Sequence, residues 1–277
     1  VAAPRCALIV TTHDWPAALR RVLECVAAQT RTPDEVLIAD DGSGPTTAQV
    51  VEEFARQLPC PVRHLWQPHA GFRAGRARNR AIAASTADYL VLVDGDMLVA
   101  TEFLADHLEF ARRGCYTQGA RIPLDPGLTA VQLLPGATLP APGAPGLAGR
   151  RAAYARRAPI RARLLRRLGN AFVAIKACNQ GFWREDLIAV NGFDEGFNGW
   201  GSEDKELCVR LDNAGVRRQT LVFAALAYHL HHPPAPRDGA AGNRERWQRS
   251  AREGRRRCEQ GVDSHLAASH GQDPTMR

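Results

Sequence analysis

Short apolar runs and longer amphipathic stretches alternate along the first third of the chain. Cys6-Ala-Leu-Ile-Val10, Glu35-Val-Leu-Ile-Ala39, Val62 to Trp66 and Tyr89-Leu-Val-Leu-Val93 are brief and rich in strand formers. Runs of this kind predict strands, and the nearly all-apolar Tyr89–Val93 run predicts one covered on both faces, as at the centre of a parallel sheet. After the first run, Leu19, Val22, Leu23 and Val26 recur at helical spacing, with Asp14 placed to cap the helix and Pro16 suited to its first turn. Further helices are predicted over about Thr46–Gln57 and Ala74–Ala84. This βαβαβαβ order predicts an α/β fold, a doubly wound and mostly parallel central sheet flanked by helices.

The fourth run ends in Asp94-Gly95-Asp96. If the chain stays extended there, the two carboxylates point the same way, and Gly95 lets a ligand approach the backbone. Ligands of open α/β sheets bind beyond the carboxyl ends of the strands, so the pair stands where a site is expected. It could hold one divalent cation against a diphosphate; an isolated Asp-x-Asp is otherwise a solvated turn. The first two strands also end in polar residues, Thr11-Thr12 and Asp40-Asp41. No Gly-x-Gly-x-x-Gly follows a strand, which disfavours a dinucleotide-binding reading.

Past the pair, a helix carrying Phe103, Leu104, His107 and Leu108 and a strand over about Cys115–Leu124 are predicted, followed by a long Pro- and Gly-rich loop from Asp125 to Gly149. Arg150 to Arg167 holds eight arginines and no acidic residue, with Ile160, Leu164, Leu165 and Leu168 on one helical face. That pattern suits an anionic membrane surface, an acidic acceptor, or packing through the leucines. Strand-like sequence returns at Phe172–Phe182. Then comes a dense stretch from Asn191 to Glu206, in which Ser202 is a good N-cap for a helix with Glu203, Asp204 and Glu206 in its first turn. A last strand, about Gln219–Tyr228, ends in His229-Leu-His231-His232, and beyond Pro233 the chain is polar and Arg-rich, with a helix over about Asn243–Cys258 and then a tail.

Composition narrows this picture without deciding it. The 277 residues, 45% of them hydrophobic, suffice for one large domain or two small ones. No apolar run approaches the ~20 residues of a bilayer span, and no signal peptide is visible, although the chain starts at Val1 without methionine. Seven scattered cysteines without Cys-x-x-Cys read as reduced core residues of a cytoplasmic protein. The net charge of +7 suits a polyanionic partner. Nucleic acid is disfavoured, because few aromatics interleave the arginines to stack bases.

Four segments in order, Leu-Ile-Val-Thr-Thr-His-Asp, Val-Leu-Ile-Ala-Asp-Asp-Gly-Ser, Gly71-Phe-Arg-Ala-Gly-Arg-Ala-Arg-Asn79 and Val-Asp-Gly-Asp-Met, resemble the inverting nucleotide-diphospho-sugar glycosyltransferases of family 2, whose fold is GT-A. Asn-Gly-Phe-Asp-Glu with Gly-Trp-Gly-Ser-Glu-Asp is similar to the galactosyltransferase-type segment of β-1,4-galactosyltransferases and bacterial chondroitin polymerases. The resemblance implies one domain over 1–232, with a nucleotide-binding half (1–100), an acceptor and catalytic half (101–232) containing a basic loop-helix (125–170), and a polar tail (233–277).

It further implies a UDP-sugar donor and a glycan or glycolipid acceptor of a bacterial surface polysaccharide or lipopolysaccharide. Thr11, Thr12 and one of Asp40 and Asp41 would hold uracil and ribose, and Arg78 would brace the diphosphate or the carboxylates. Asp94 would meet ribose or metal. Asp96 and His229, with His231 next in line, would ligate Mn²⁺ or Mg²⁺. Asp204 would be the base, and Trp200, Gly201, Glu203 and Asn179 would contact sugars. For Asp204 two effects oppose: the helix N-terminus lowers a carboxylate's pKa and burial raises it. His13-Asp14, where relatives often carry an aromatic residue and Asn, and Lys205 after the Glu-Asp pair depart from the pattern. The alternatives are a sugar-phosphate nucleotidyltransferase, which would want a Gly- and Lys-rich loop absent from Thr11–Pro16, and a sugar-binding module without catalysis. The expected location is cytoplasmic, peripheral on the inner membrane face if the basic stretch reaches it.

Overall fold

The computed structural model describes residues 3–141, 144–147, 167–168, 175–197, 199–221, 223–234 and 239–266. The first half follows the predicted alternation: β1 (Cys6–Thr12), α1 (Pro16–Ala27), β2 (Glu35–Asp40), α2 (Pro45–Gln57), β3 (Val62–Trp66), α3 (Ala74–Ala84), β4 (Tyr89–Asp94) and β5 (Met97–Val99). Then come α4 (Phe103–Phe110), β6 (Cys115–Gln118), β7 (Arg121–Pro123), α5 (Pro126–Gln132), β8 (Arg167–Leu168), β9 (Asn179–Trp183), α6 (Arg184–Ala189), α7 (Glu203–Asn213), β10 (Arg217–Thr220), β11 (Ala227–His229), α8 (Ala240–Arg252) and α9 (Asp263–Leu266).

The larger sheet has the order β3-β2-β1-β4-β9-β6-β10-β8. Strands β3, β2, β1 and β4 run parallel, and β9 enters antiparallel between β4 and β6. Tyr89 to Val93 lie at the centre without solvent exposure on either face. Helices α1 and α2 cover one face of the sheet, packing Leu19, Val22, Leu23 and Phe54 against Leu8 and Val91. Helices α3 and α7 cover the other, packing Ala77, Ile82, Leu207 and Leu211 around Ile9 and Leu92. Each such aliphatic side chain contributes roughly 1.5–3 kcal/mol by leaving water.

The second half departs from expectation in a consistent way. The strand expected over Cys115–Leu124 is two, β6 and β7, and the one expected over Gln219–Tyr228 is also two, β10 and β11. In both cases the first piece joins the large sheet and the second joins a three-stranded sheet, β5-β11-β7. The chain switches sheets at Gly119, where a Cβ would sit 2.3 Å from the Asn179 amide, and at Ala225, which takes φ 49°. Strand β11 thereby carries His229 beside Met97, one residue past Asp96.

Three local expectations also change. Within the loop expected from Asp125, Asp125 Oδ1 accepts from Leu128 N at 2.7 Å and caps α5. Asp14 caps no helix; its Oδ1 accepts from Gly44 N at 2.7 Å and ties the loop after β1 to the loop after β2. Ser202 precedes α7 in the left-handed region, at φ 73°, with no capping bond from its side chain. The basic stretch Arg150–Arg167 lies outside the described residues except for the backbone of Arg167, which with Leu168 pairs as a strand against Gln219 and Thr220.

Beyond Pro233 the helix expected over about Asn243–Cys258 is α8, at Ala240–Arg252, and α9 follows within the region expected as tail. Ser250 donates to Glu206 on α7, and Val262 is fully buried against the sheet-facing core. No helix among the described residues is long and apolar enough to cross a membrane.

Candidate functional site

The site forms where β1, β2 and β4 end, across from the N-terminus of α7. Helix α3 runs beneath it, and its Arg78 is the hub. The Arg78 guanidinium is buried, with Nε donating to Thr11 Oγ1 at 3.0 Å and Nη2 to Asp94 Oδ1 at 2.8 Å. Its Nη1 lies 3.5 Å from Glu203 Oε1, yet Nη1 has no hydrogen-bond partner. Adjacent Asn79 reaches the other way: Nδ2 donates to the Phe193 carbonyl and to Glu195, and Oδ1 accepts from Phe193 N. One turn of α3 therefore joins the ends of β1 and β4 to the Asn-Gly-Phe-Asp-Glu segment and to α7.

Asp94 and Asp96 part company at the turn after β4. Gly95 N donates to the Thr11 carbonyl at 2.7 Å, and a Cβ there would crowd Thr12 Oγ1 at 3.0 Å, so the turn needs glycine. Asp94 faces Arg78. Burial pushes its carboxyl up, partly offset by that guanidinium. Asp96 faces the histidines, with Oδ2 3.3 Å from His229 Nε2 and 3.2 Å from His232 Nε2. Burial opposes its ionisation, but the two imidazoles hold it well below the usual carboxylate range.

Asp96, His229 and His232 form the one group among the described residues able to offer three ligand atoms to a single ion. His232 Nδ1 is 2.7 Å from the Pro233 carbonyl, which it can satisfy only as a donor, so in the neutral ring Nε2 carries a lone pair. That nitrogen lies 3.3 Å from His229 Nε2 and 3.2 Å from the Asp96 oxygen. Two imidazole nitrogens and a carboxylate oxygen within 3.3 Å of one another could take a cation between them, and Asp96 Oδ1 is buried with no hydrogen-bond partner. The set of one carboxylate and two imidazoles fits a Mn²⁺-like ion.

His231, expected second after His229, is not in the cluster; its backbone N donates to Thr129 Oγ1. His232 takes that place because the chain leaves the strand after His229 and three residues bring the ring back. The His-x-x-His spacing ahead of Pro233-Pro234 was the signal for it. Asp94, expected at ribose or metal, is likewise outside the three-residue group.

Across the cleft, burial raises Glu203 to about 7, with Asp204 adding to the rise and Arg78 opposing it. Burial also raises Asp204, against the pull of Lys176 and of the backbone N–H groups of Lys205 and Ala177. Those two groups donate to Asp204 Oδ1 and Oδ2 at 2.8 and 3.2 Å. Burial therefore outweighs these cationic and hydrogen-bonding neighbours at this carboxylate. Trp200, between Gly199 and Gly201 at φ 74° and 106°, leaves 38% of its surface exposed beside it.

Several predicted residues hold the loops. Asp40 accepts from His64 Nε2 and Ser43 N, and Asp41 from Gln67 Nε2 and Arg73 N, so both carboxylates are engaged within the fold. Thr12 lies beneath them, its carbonyl accepting from Asp41 N. Asn179 is corrected outright as a sugar contact. It is fully buried, with Nδ2 donating to the Ala120 and Ala225 carbonyls and Oδ1 facing His107 Nε2, so its amide has nothing left for a ligand.

Residues 7–133 match the family described as Glycosyl transferase family 2, and residues 171–233 match the N-terminal domain of galactosyltransferase. Validoxylamine A glucosyltransferase of Streptomyces hygroscopicus subsp. limoneus is 29% identical over 77% of this chain and 49% of its own length. Hyaluronan synthase of Pasteurella multocida is 29% identical over 82% of this chain and 24% of its own, and chondroitin synthase of P. multocida strain Pm70 is 26% identical over 82% and 25%. The chain thus spans about half or less of the length of these curated relatives. The crystal structure of S. aureus TarS 1-349 in complex with UDP superposes with a TM-score of 0.62 at 17% identity, covering 96% of this chain and 70% of that one. The fold is therefore GT-A.

Proposed function

This chain belongs to the family-2 glycosyltransferases, and we propose that it is a metal-dependent, inverting enzyme that moves a hexose or N-acetylhexosamine from a UDP-sugar to a glycan or glycolipid acceptor in bacterial surface polysaccharide or lipopolysaccharide synthesis. The observation that carries this reading is the convergence of Arg78, Asp94, Glu203 and Asp204 with the Asp96–His229–His232 group at the ends of the parallel strands. Asp96, His229 and His232 would hold Mn²⁺ or Mg²⁺, which supplies Lewis-acid stabilisation of charge on a leaving diphosphate.

The protein's own groups do the rest. Thr11 and Thr12 line the ribose end, while Asp40 and Asp41 fix the loops around the base. Arg78 holds Asp94 and Glu203 at set positions and keeps an N–H in reserve on the diphosphate side. Asp204, strengthened as a base by burial, accepts the proton of the acceptor hydroxyl at a carboxylate oxygen as the anomeric carbon inverts. Trp200 offers an exposed ring to a sugar face. The eight arginines of Arg150–Arg167 support a salt-sensitive contact with an anionic membrane.

The test is UDP release from a panel of UDP-sugars with Mn²⁺, with EDTA, and in the Asp96→Asn and Asp204→Asn variants. Release should favour one sugar, stop with EDTA and fall at least tenfold in Asp96→Asn. Calorimetry should show Mn²⁺-dependent UDP binding retained in Asp204→Asn. Metal-independent release, or UDP binding that ignores Mn²⁺, overturns the metal assignment. No UDP binding overturns the donor class.

A further inference from the structure

Helix α8 lies outside both family-matching stretches, yet one face of it is spent on the residues that lead into α7. Asn243, Arg246, Trp247 and Ser250 stand at i, i+3, i+4 and i+7, a spacing that puts four side chains on one side of a helix. Arg244, Glu245, Gln248 and Arg249, on the other side, are exposed. The partners of the first four fall between Asp194 and Glu206. Arg246 Nη1 is 3.1 Å from Asp194 Oδ2, and its guanidinium lies 5.6 Å from the Phe197 ring centroid. A Cβ on Gly196 would sit 2.8 Å from Arg246 Nη1, so the guanidinium rests directly on that backbone. Lys205 Nζ is 5.3 Å from the Trp247 ring centroid, a cation–π contact, and Ser250 Oγ donates to Glu206 Oε1 at 2.8 Å. Lys205, which departs from the family pattern after the Glu-Asp pair, thus serves to bind α8.

The fourth residue of the face, Asn243, is only 5% exposed and directs Nδ2 to the Gly199 and Trp200 carbonyls, at 3.4 and 3.5 Å. Those carbonyls belong to the two peptide groups on either side of the Trp200 Cα. One amide reaching both therefore limits both backbone dihedrals of Trp200. The local sequence gives little restraint of its own. Gly199 and Gly201 take φ 74° and 106° and carry no side chain, and a Cβ on Gly201 would meet nothing within 4 Å. An exposed indole on such a backbone holds its direction through what grips the adjoining peptides.

We propose that Asn243 is a positioning residue for Trp200, and that Arg246, on the same face of α8, holds the segment leading to it. The inference rests on the reading of Trp200 as a sugar contact in a glycosyltransferase and adds a residue that itself touches no sugar. A ring held in place before binding has less freedom to lose when a sugar stacks on it, so loss of Asn243 weakens sugar binding and leaves nucleotide binding alone.

The test uses the chain labelled with 5-fluorotryptophan, whose five tryptophans give five fluorine signals, that of Trp200 being identified by Trp200→Phe. The unmodified chain, Asn243→Ala and Arg246→Gln are titrated in Mn²⁺ with UDP, UDP-glucose and UDP-N-acetylglucosamine, and with glucose and N-acetylglucosamine in the presence of UDP. Without ligand, the Trp200 signal moves or broadens in both variants, while those of Trp15, Trp66 and Trp183 keep their positions. The sugar probe that shifts the Trp200 signal in the unmodified chain needs about threefold or more concentration in Asn243→Ala, at unchanged UDP affinity. An unmoved Trp200 signal, or an unmoved sugar midpoint, overturns the positioning role. Where Asn243→Ala melts well below the unmodified chain, Arg246→Gln, at a side chain 43% exposed, decides by the same two readings. Failure of the unmodified chain to bind UDP, or of every sugar to shift its Trp200 signal, overturns the functional reading beneath.

Discussion

Arg210 makes the sharpest claim about what holds the candidate site in place. It lies on α7, two turns from Asp204, and is fully buried. Its Nη2 is 2.7 Å from Glu206 Oε2, Nε also bonds Glu206, Nη2 donates to the Gly192 carbonyl at 2.8 Å, and Nη1 donates to the Val190 carbonyl. Arg210→Met would leave the Glu206 carboxylate buried with only Ser250 Oγ, at 2.8 Å, to solvate it, and would strip two carbonyls of a partner. Breaking a buried pair on one side costs about 3–5 kcal/mol, a large part of the roughly 5–15 kcal/mol that stabilises a domain. At about 2 °C per kcal/mol for a chain of this size, melting should fall by roughly 6–10 °C. Removing both charges is a different perturbation, because a desolvated pair often roughly breaks even with an apolar replacement. Arg210→Met with Glu206→Leu should therefore recover more than half of the loss. The assay is calorimetric melting of the four members of the cycle. A single-variant drop under 2 °C, or additive losses in the double variant, would refute the reasoning.

Two further outcomes follow from other parts of the fold. Ser202→Gly should raise stability by about 1 kcal/mol, because Ser202 sits at φ 73° with no compensating cap; a lower melting temperature would show that its side chain is needed there. His107 is buried neutral, its pKa pushed by burial from the ordinary 6.5 to about 4, so below pH 6.5 only the unfolded chain takes up its proton. Its share of stability is complete above pH 6.5 and shrinks as pH falls towards 4, by roughly 3 kcal/mol. Asp106, raised by burial to about 6, works in the opposite direction, so the His107 share is the difference between the protein and His107→Gln in chemical denaturation at pH 7 and pH 4.5. Equal pH slopes in the two proteins would refute it.

How far the sequence discloses this molecule depends on the range of the forces involved. Strands β1, β2 and β4 are readable because each is a short run buried on both faces, a local property, and helices α1 to α3 show their buried face at helical spacing. The sheet switches at Gly119 and Ala225 are not readable, because tertiary partners, and not the local pattern, decide which sheet each half of a broken strand joins. Asn179 illustrates the same limit. An asparagine has the chemistry of a sugar contact, but His107, Ala120 and Ala225, far away in sequence, consume its amide. The choice between His231 and His232 turned on the path of three residues after β11.

The Arg78-Asn79 pair explains why the two family-matching stretches, 7–133 and 171–233, make one site. Had each stretch folded on its own core, a cleft between them would need a large interface to stay rigid. Instead Phe193 from the second stretch packs in the same apolar cluster as Ala77 and Ile82 of α3, so the loop leading to Glu203 and Asp204 is built on the helix that holds Asp94. Arg78 and Asn79, neighbours on that helix, project to opposite partners, the first to Thr11, Asp94 and Glu203 and the second to Phe193 and Glu195. Glu206, bonded to Arg210 and Ser250, extends the same connection to α8. The spacing between Asp94 and Asp204 is therefore set by one rigid helix and its buried polar bonds, the kind of support that holds reacting groups within a fraction of an ångström.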